Sequence, residues 1–199
     1  MKPMWKLTIL LTVLLIVSWA CSKNLNANAS GTGTTSNPTL VNQSGDLKYT
    51  APSGWVVEHP TSSMRVAQYK LPKAAGDLED GSLVLYYFGQ GQGGSTQANI
   101  DRWVNQMQQP DGKPSKDKAK FDTMTVNGLK VTTVDVGGTY SAEMSPGSGT
   151  FSNNANFRLR AAVIETPKGS YFAKLVGPEK TVAQWDQAFT DYLKSFEFK

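Results

Sequence analysis

The chain has 199 residues, with 20 Lys and Arg against 16 Asp and Glu, a net charge of +4, one His and one Cys. A single cysteine excludes an internal disulfide framework, a single histidine excludes a histidine cluster for metal, and so slight a basic excess excludes a nucleic-acid footprint. With 39% apolar and 10% aromatic residues, the chain can pack a core and rely on it for stability.

Lys2 and Lys6 precede a nearly unbroken apolar run from Leu7 to Val17, followed by Ser18, Trp19, Ala20 and Cys21. A run of about 7–15 apolar residues behind a basic start reads as a signal-peptide core, too short to span a bilayer. Residues 1–20 are therefore expected to be a signal peptide. A lone cysteine just behind such a core resembles the lipobox of bacterial lipoproteins, where the thiol is acylated and becomes the mature N-terminus. Ala20 fits that pattern, while Ser18 and Trp19 replace its usual Leu-small pair. The resemblance implies a palmitate-type anchor on Cys21, in the cell envelope facing the periplasm or cell exterior. Ser22 after the cysteine implies the outer membrane if the cell is Gram-negative. Secretion is the alternative, since Ser18 with Ala20, or Ala27-Asn28-Ala29, suits ordinary cleavage.

Residues 22–44 are rich in Ser, Asn, Gly and Thr, with Leu25, Leu40 and Val41 as their large apolar residues. Such a stretch buries too little to offset its ordering entropy, and as a coil it would span roughly 25 Å. Residues 21–44 thus read as a lipidated cysteine and tether, and residues 45–199 as one globular domain. Loss of Lys2 and Lys6 with the signal peptide leaves 18 basic against 16 acidic side chains. Lys113, Lys116, Lys118 and Lys120 are interrupted by Pro114, Asp111, Asp117 and Asp122, which reads as a solvated loop rather than a phosphate-binding patch.

The domain opens with a short strand from Leu47, a turn at Pro52-Ser53-Gly54, and an extended piece led by Trp55. Met64 to Leu71 reads as a strand ended by Pro72. Leu83 to Phe88, apolar on both faces, reads as a central strand covered from both sides. A glycine-rich loop, Gly89 to Gly94, leads to a helix with Ile100, Trp103, Val104 and Met107 at spacing i, i+3, i+4, i+7, stopping before Pro110. Phe121–Val126 and Leu129–Val136 flank Asn127-Gly128, a strong hairpin signal. Residues 137–156 read as a loose surface loop. Phe157–Glu165 and Tyr171–Val176 then flank a turn at Pro167-Lys168-Gly169. Thr181 and Gln184 form a capping-box pattern for a last helix, whose apolar stripe is Val182, Trp185, Phe189, Leu193 and Phe196. Strand pairs with short turns and two amphipathic helices predict an α+β fold: a central antiparallel sheet of about six or seven strands with a helix packed on each face.

Ala51-Pro52-Ser53-Gly54-Trp55, the strand order, and the close from Trp185 to Ser195-Phe196-Glu197-Phe198 resemble the PsbP-like (Mog/PsbP) fold family. That family includes photosystem II extrinsic subunits, a Ran-binding nuclear import factor and bacterial lipoproteins of the DcrB and LpqN types. Within it, the glycine-rich loop before an Arg-Trp-containing helix is similar to uncharacterised envelope lipoproteins. The resemblance covers nearly all of 45–199 and implies an α/β/α sandwich acting as a non-catalytic binding, docking or assembly module.

Several motifs carry candidate chemistry. Gly89, Gly91 and Gly94 form a formal G-x-G-x-x-G after a strand and before a helix. A dinucleotide unit needs a second parallel strand ending in an acid about 20 residues on, where this chain has the turn residues Gln109 to Pro114. The glycines can instead reverse the chain, with Ser95 or Thr96 capping the helix. Backbone N–H groups of the same loop could also hold an anion or polar ligand, with Gln90, Gln92 and Arg102 as donors beside Gly89, Gly91, Gly94 and Ser95. His59 precedes Pro60 in a loop and has no orienting acid in the sequence. Asp77, Glu79 and Asp80 form an acidic turn without calcium-loop spacing. Ser145 lacks the nucleophile-elbow pattern. Trp55, Tyr69, Tyr86, Tyr87, Trp103, Tyr171 and Phe172 suit the core, unless a short helix leaves part of one face open to a ligand or partner.

These readings converge on a membrane-tethered envelope lipoprotein without catalytic, metal or cofactor residues, attached through its lipid and working with an envelope protein partner. Two alternatives stand beside it. One is a receptor for a small polar ligand or anion at the Gly89–Gly94 loop. The other is an envelope hydrolase in which Asp101 meets Asp135 or Glu165 in three dimensions.

Overall fold

The structure, a computed structural model, describes residues 40–143 and 147–199. The expected signal peptide, Cys21, the expected tether up to residue 39, and Ser145 lie outside the described residues. In chain order the strands are β1 (Leu40–Ser44), β2 (Leu47–Ala51), β3 (Val56–Glu58), β4 (Arg65–Leu71) and β5 (Gly81–Tyr87), before helix α1 (Thr96–Val104). Next come β6 (Met107–Gln108), β7 (Lys120–Val126), β8 (Leu129–Tyr140), β9 (Asn154–Thr166) and β10 (Gly169–Pro178). Helices α2 (Glu179–Gln184) and α3 (Asp186–Lys194) and strand β11 (Glu197–Phe198) close the chain.

The fold is α+β, as expected, but its strands divide differently. An eight-stranded sheet runs β3-β4-β5-β10-β9-β8, and the far edge of β8 is shared by β7 along its first half and β6 at its end. A separate three-stranded sheet, β1-β2-β11, lies on the side of α2 and α3. The central antiparallel sheet expected with about six or seven strands has eight, and the three-stranded sheet is an addition to it. Alternation in β2 tells which residues point inward (Leu47, Tyr49 and Ala51), not which neighbour satisfies its backbone. Residues 40–44, assigned to the tether, are also strand, paired with β2 from Leu40↔Ala51 to Ser44↔Leu47.

Two cores follow from the alternation of β8, β9 and β10. On the α1 side Ile100, Trp103 and Val104 pack on Val136, Leu159, Val163 and Phe172. On the other side Val182, Phe189, Leu193 and Phe196 pack on Leu85, Ile164, Ala173 and Leu175, with Tyr49 and Tyr69 edge to face with Tyr192 in their midst and Trp55 tilted against it. The expected helix stripe is thus core. Its helix is broken at Trp185 into α2 and α3.

The expected capping box is absent. Thr181 is fully buried, and its N–H and hydroxyl both donate to Asp77 Oδ2, at 2.9 and 2.6 Å. A carboxylate from a distant loop therefore caps α2, and the short-range pattern lost to this tertiary contact. The hairpin at Asn127-Gly128 formed as expected, with φ of 48° and 81°. Residues 137–156 correct the loop expectation, because β8 and β9 run on to Tyr140 and back from Asn154. Gly138 permits this: a Cβ there would lie 2.5 Å from the Gln108 carbonyl oxygen of β6. No helix among the described residues is long and apolar enough to cross a membrane.

Candidate functional site

The glycine loop joins β5 to α1 by a tight turn in which Gln92 N–H donates to the Gly89 carbonyl at 3.1 Å. Gly93, which the G-x-G-x-x-G reading passes over, is the position under most constraint. Its φ is 89°, and a Cβ would sit 2.7 Å from the Phe172 ring and 2.9 Å from Phe88. Ser95 caps α1, its hydroxyl accepting from Ala98 N–H at 3.2 Å. Gln90, Gly91, Gln92 and Gly94 face solvent, and Gly89 is half-buried. Arg102 is hydrogen-bonded to Asn99 Oδ1 at 2.5 Å, not to the loop. Asn99, 1% exposed, in turn donates to the carbonyls of Gly93 and Ser95 at 2.8 and 2.9 Å. The motif is therefore a packed turn feeding a capped helix, with Asn99 tying the two. Beyond α1 the chain enters β6, antiparallel to β8, so no parallel dinucleotide crossover forms.

At the other end of α1 stands a cluster that the motif reading missed. Lys174 lies mid-strand in β10 and points to the α1 side with its neighbours Phe172 and Val176. Its ammonium donates to Gln106 Oε1 at 2.6 Å and to the Tyr140 hydroxyl at 2.9 Å. No carboxylate is within ion-pairing distance among the described residues. Burial first, and the neighbouring Arg102 cation second, lower its pKa to about 8. Burial, and then the nearby Tyr86, hold the Tyr140 phenol above its ordinary range, so it stays protonated. Arg65 lies over the Tyr86 ring, 5.7 Å from its centroid, and Tyr86 stacks parallel to Phe88 at 6.0 Å.

Beside this cluster a cleft of about 510 Å³ opens between the end of α1 and the segment after β8. Arg102 and Gln106 belong to both cluster and cleft; Asp101, Ser141, Glu143 and Phe151 also line the cleft, and Lys174 and Tyr140 do not. Phe151 is 54% exposed. Glu143 is held below the usual carboxylate range by the N–H groups of Gly149 and Gly147. The sequence signal for the cluster was there to read: a lysine in the middle of the otherwise apolar Tyr171–Val176 strand.

The remaining candidates stay apart. Asp101 accepts from Gln97 at 2.9 Å, Glu165 is 3.1 Å from Lys130, and Asp135 takes both Nε and Nη2 of Arg158 at 2.7 and 2.5 Å on the opposite face of the sheet. The expected meeting of Asp101 with Asp135 or Glu165 does not occur, because each acid has its own partner. His59 is exposed in a loop. In the acidic turn, Asp77 caps α2 and Asp80 accepts from Lys73 N–H at 2.8 Å, so two of its three acids are structural. Lys118 and Lys116 lie 3.8 and 4.0 Å from Asp111 and Asp101, which neutralises much of the lysine-rich segment. Among the described residues no group of three or more His, Cys, Asp or Glu converges.

No protein-family model matches the chain, and no curated protein matches its sequence. In structure it is similar to the solution structure of cyanobacterial PsbP (CyanoP) from Synechocystis sp. PCC 6803, with a TM-score of 0.49 and 12% identity over 87% of this chain and 98% of that one. It is similar too to the crystal structure of PA94, a protein of unknown function from Pseudomonas aeruginosa, with a TM-score of 0.45 and 12% identity over 81% of this chain and 97% of that one.

Proposed function

We propose that the chain is a membrane-tethered envelope lipoprotein whose folded part is a non-catalytic binding or assembly module. The observation that carries this reading is the stretch of sheet on the α1 side that α1 leaves uncovered. There β3 and β4 present Val56, 46% exposed, and Lys70 toward solvent beside the half-buried Tyr86 of β5, while Tyr69, Leu71, Leu83 and Leu85 are buried on the reverse of β4 and β5. Strand β3 pairs with β4 alone, so its outer backbone edge is open among the described residues to a partner strand. An apolar and aromatic surface on a rigid sheet suits docking of another protein. The signal-peptide core, Cys21 and the low-complexity stretch after it support an anchored, tethered position.

The test is an in-cell crosslinking pull-down of the full chain, controlled by residues 1–44 fused to an inert domain. One envelope protein should be enriched near one-to-one over the control and lost with Val56→Asp. Equal recovery from the fusion, or a hydrolytic activity abolished by a point substitution, overturns the reading.

A further inference from the structure

We propose that Lys174 is a carbamylation site, at which its ε-amine adds carbon dioxide and the resulting carbamate is held by Tyr140 and Gln106 beside Arg102. The lysine stands mid-strand in β10, opposite Val84 of β5 and Ala161 of β9, which are 7% and 0% exposed. Its ammonium donates to Gln106 Oε1 at 2.6 Å and to the Tyr140 hydroxyl at 2.9 Å. Both partners are neutral and both are reversible. A phenol accepts or donates through the same oxygen, and a rotated glutamine amide presents N–H where its carbonyl was. The two groups that receive an ammonium can therefore receive an anion from the same elements. The charged and titratable groups facing Lys174 are Arg102 from α1, Tyr140 from β8 and, through Tyr140, Tyr86 from β5. With a cation beside it and no carboxylate within ion-pairing distance among the described residues, the surroundings suit a negative group better than the ammonium.

An amine desolvated between apolar neighbours and set beside another cation is a nucleophile near neutral pH. Burial first and Arg102 second bring its pKa to about 8, so a substantial part of it is uncharged there. The lone pair of the uncharged nitrogen attacks the carbon of carbon dioxide. An N–C bond forms, one C=O π pair moves onto oxygen, the surplus proton of the nitrogen passes to water, and nothing is oxidised or reduced. A positive group becomes a negative one, and a repulsion between β10 and α1 becomes an attraction. Access selects the reagent. Lys174 is half-buried and does not line the neighbouring cleft, so a triatomic electrophile reaches it where a larger acyl donor is shut out.

The inference is independent of protein docking, since it needs no envelope partner. The test incubates the full chain in ¹³C-bicarbonate buffer near pH 8, traps carbamates by O-ethylation, and locates them by peptide mass spectrometry. One trapped carbamate should fall on Lys174, and the thermal midpoint should rise with bicarbonate relative to chloride of equal ionic strength. Tyr140→Phe should lower the association constant by about tenfold, the effect of losing a hydrogen bond to a charged group, and Arg102→Gln should lower it too. Lys174→Arg should abolish both the adduct and the bicarbonate shift. An unmodified Lys174, equal trapping on the exposed Lys73 and Lys130, or occupancy unchanged in both Tyr140→Phe and Arg102→Gln overturns the assignment. Arg102→Gln changes a solvent-exposed side chain, so the test survives any folding defect of the other variants.

Discussion

Two clusters of cations on opposite faces of the large sheet are held in opposite ways. On the α2/α3 side Arg158 and Arg160 project from β9 into a closed set with Asp135 of β8 and Asp186 of α3. The Arg158–Asp135, Arg160–Asp186 and Arg158–Asp186 distances are 2.5, 2.7 and 3.1 Å. Two cations meet two anions, Arg160 lies over the Phe189 ring, and the set is spent on attaching α3 to the sheet. On the α1 side Arg65, Arg102 and Lys174 are held by Gln68, Asn99 and Gln106. At these three side chains geometry is satisfied and charge is not, whereas Lys130 and Lys70 on the same face meet Glu165 and Asp80 at 3.1 and 3.8 Å. A cation matched by a carboxylate fastens elements together, whereas one matched by an amide keeps its field for something else.

The largest expected effect comes from breaking the matched side. Asp135→Ala leaves Arg158 and Arg160 with one shared acid at side-chain exposures of 20% and 14%, and should cost about 3 kcal/mol. The urea unfolding midpoint measures it. A midpoint unmoved by the substitution would mean that the quartet is a surface ornament and the contrast between the faces is false.

The unmatched side should respond in the reverse sense. Folding lowers the proton affinity of Lys174, so the unfolded chain keeps that proton to near 10.5 while the folded chain releases it above about 8. Over that interval the unfolded state binds more protons, and stability should rise with pH by about 2 kcal/mol. Above about 10 the trend should turn. Burial raises the Tyr49 phenol to about 12, and Tyr192 is raised too, so the folded state then holds protons that the unfolded one releases. Lys174→Met should remove the rise and leave the fall, raising the thermal midpoint at about pH 7. A wild-type midpoint that is flat from pH 8 to 10 would remove the charge argument.

A smaller effect separates structural acids from idle ones. Asp77→Ala removes the cap of α2 and should cost about 1 kcal/mol, while the exposed Glu79→Ala should change little. Equal midpoints for the two variants would return Asp77 to the solvent-facing loop that its spacing alone indicates.

What could be read in advance divides by range. The Asn127-Gly128 hairpin, the α1 stripe and the stripe from Val182 to Phe196 were legible because each is decided within a few residues, by positive φ or helical spacing. The glycine loop was legible as a turn with Ser95 or Thr96 as cap, of which Ser95 serves, but Gly93 and Asn99 were not singled out. Their roles come from Phe172 and Phe88 pressing on one and from loop carbonyls meeting the other. The α2 capping box failed for the same reason in reverse, since Asp77 reaches Thr181 across 104 positions.

By itself the sequence determined the class of fold, the inward faces of most strands and both amphipathic stripes, because those properties are local or periodic. Only the tertiary structure decided which sheet β1, β2 and β11 join, because an alternating strand specifies a face and leaves its hydrogen-bond partner open. It also decided which charges cancel. Asp135 and Arg158 are neighbours across a β8–β9 pair, Lys174 and Arg102 across a helix and a strand. Whether a charged side chain is paired or left in force depends on what the fold places beside it.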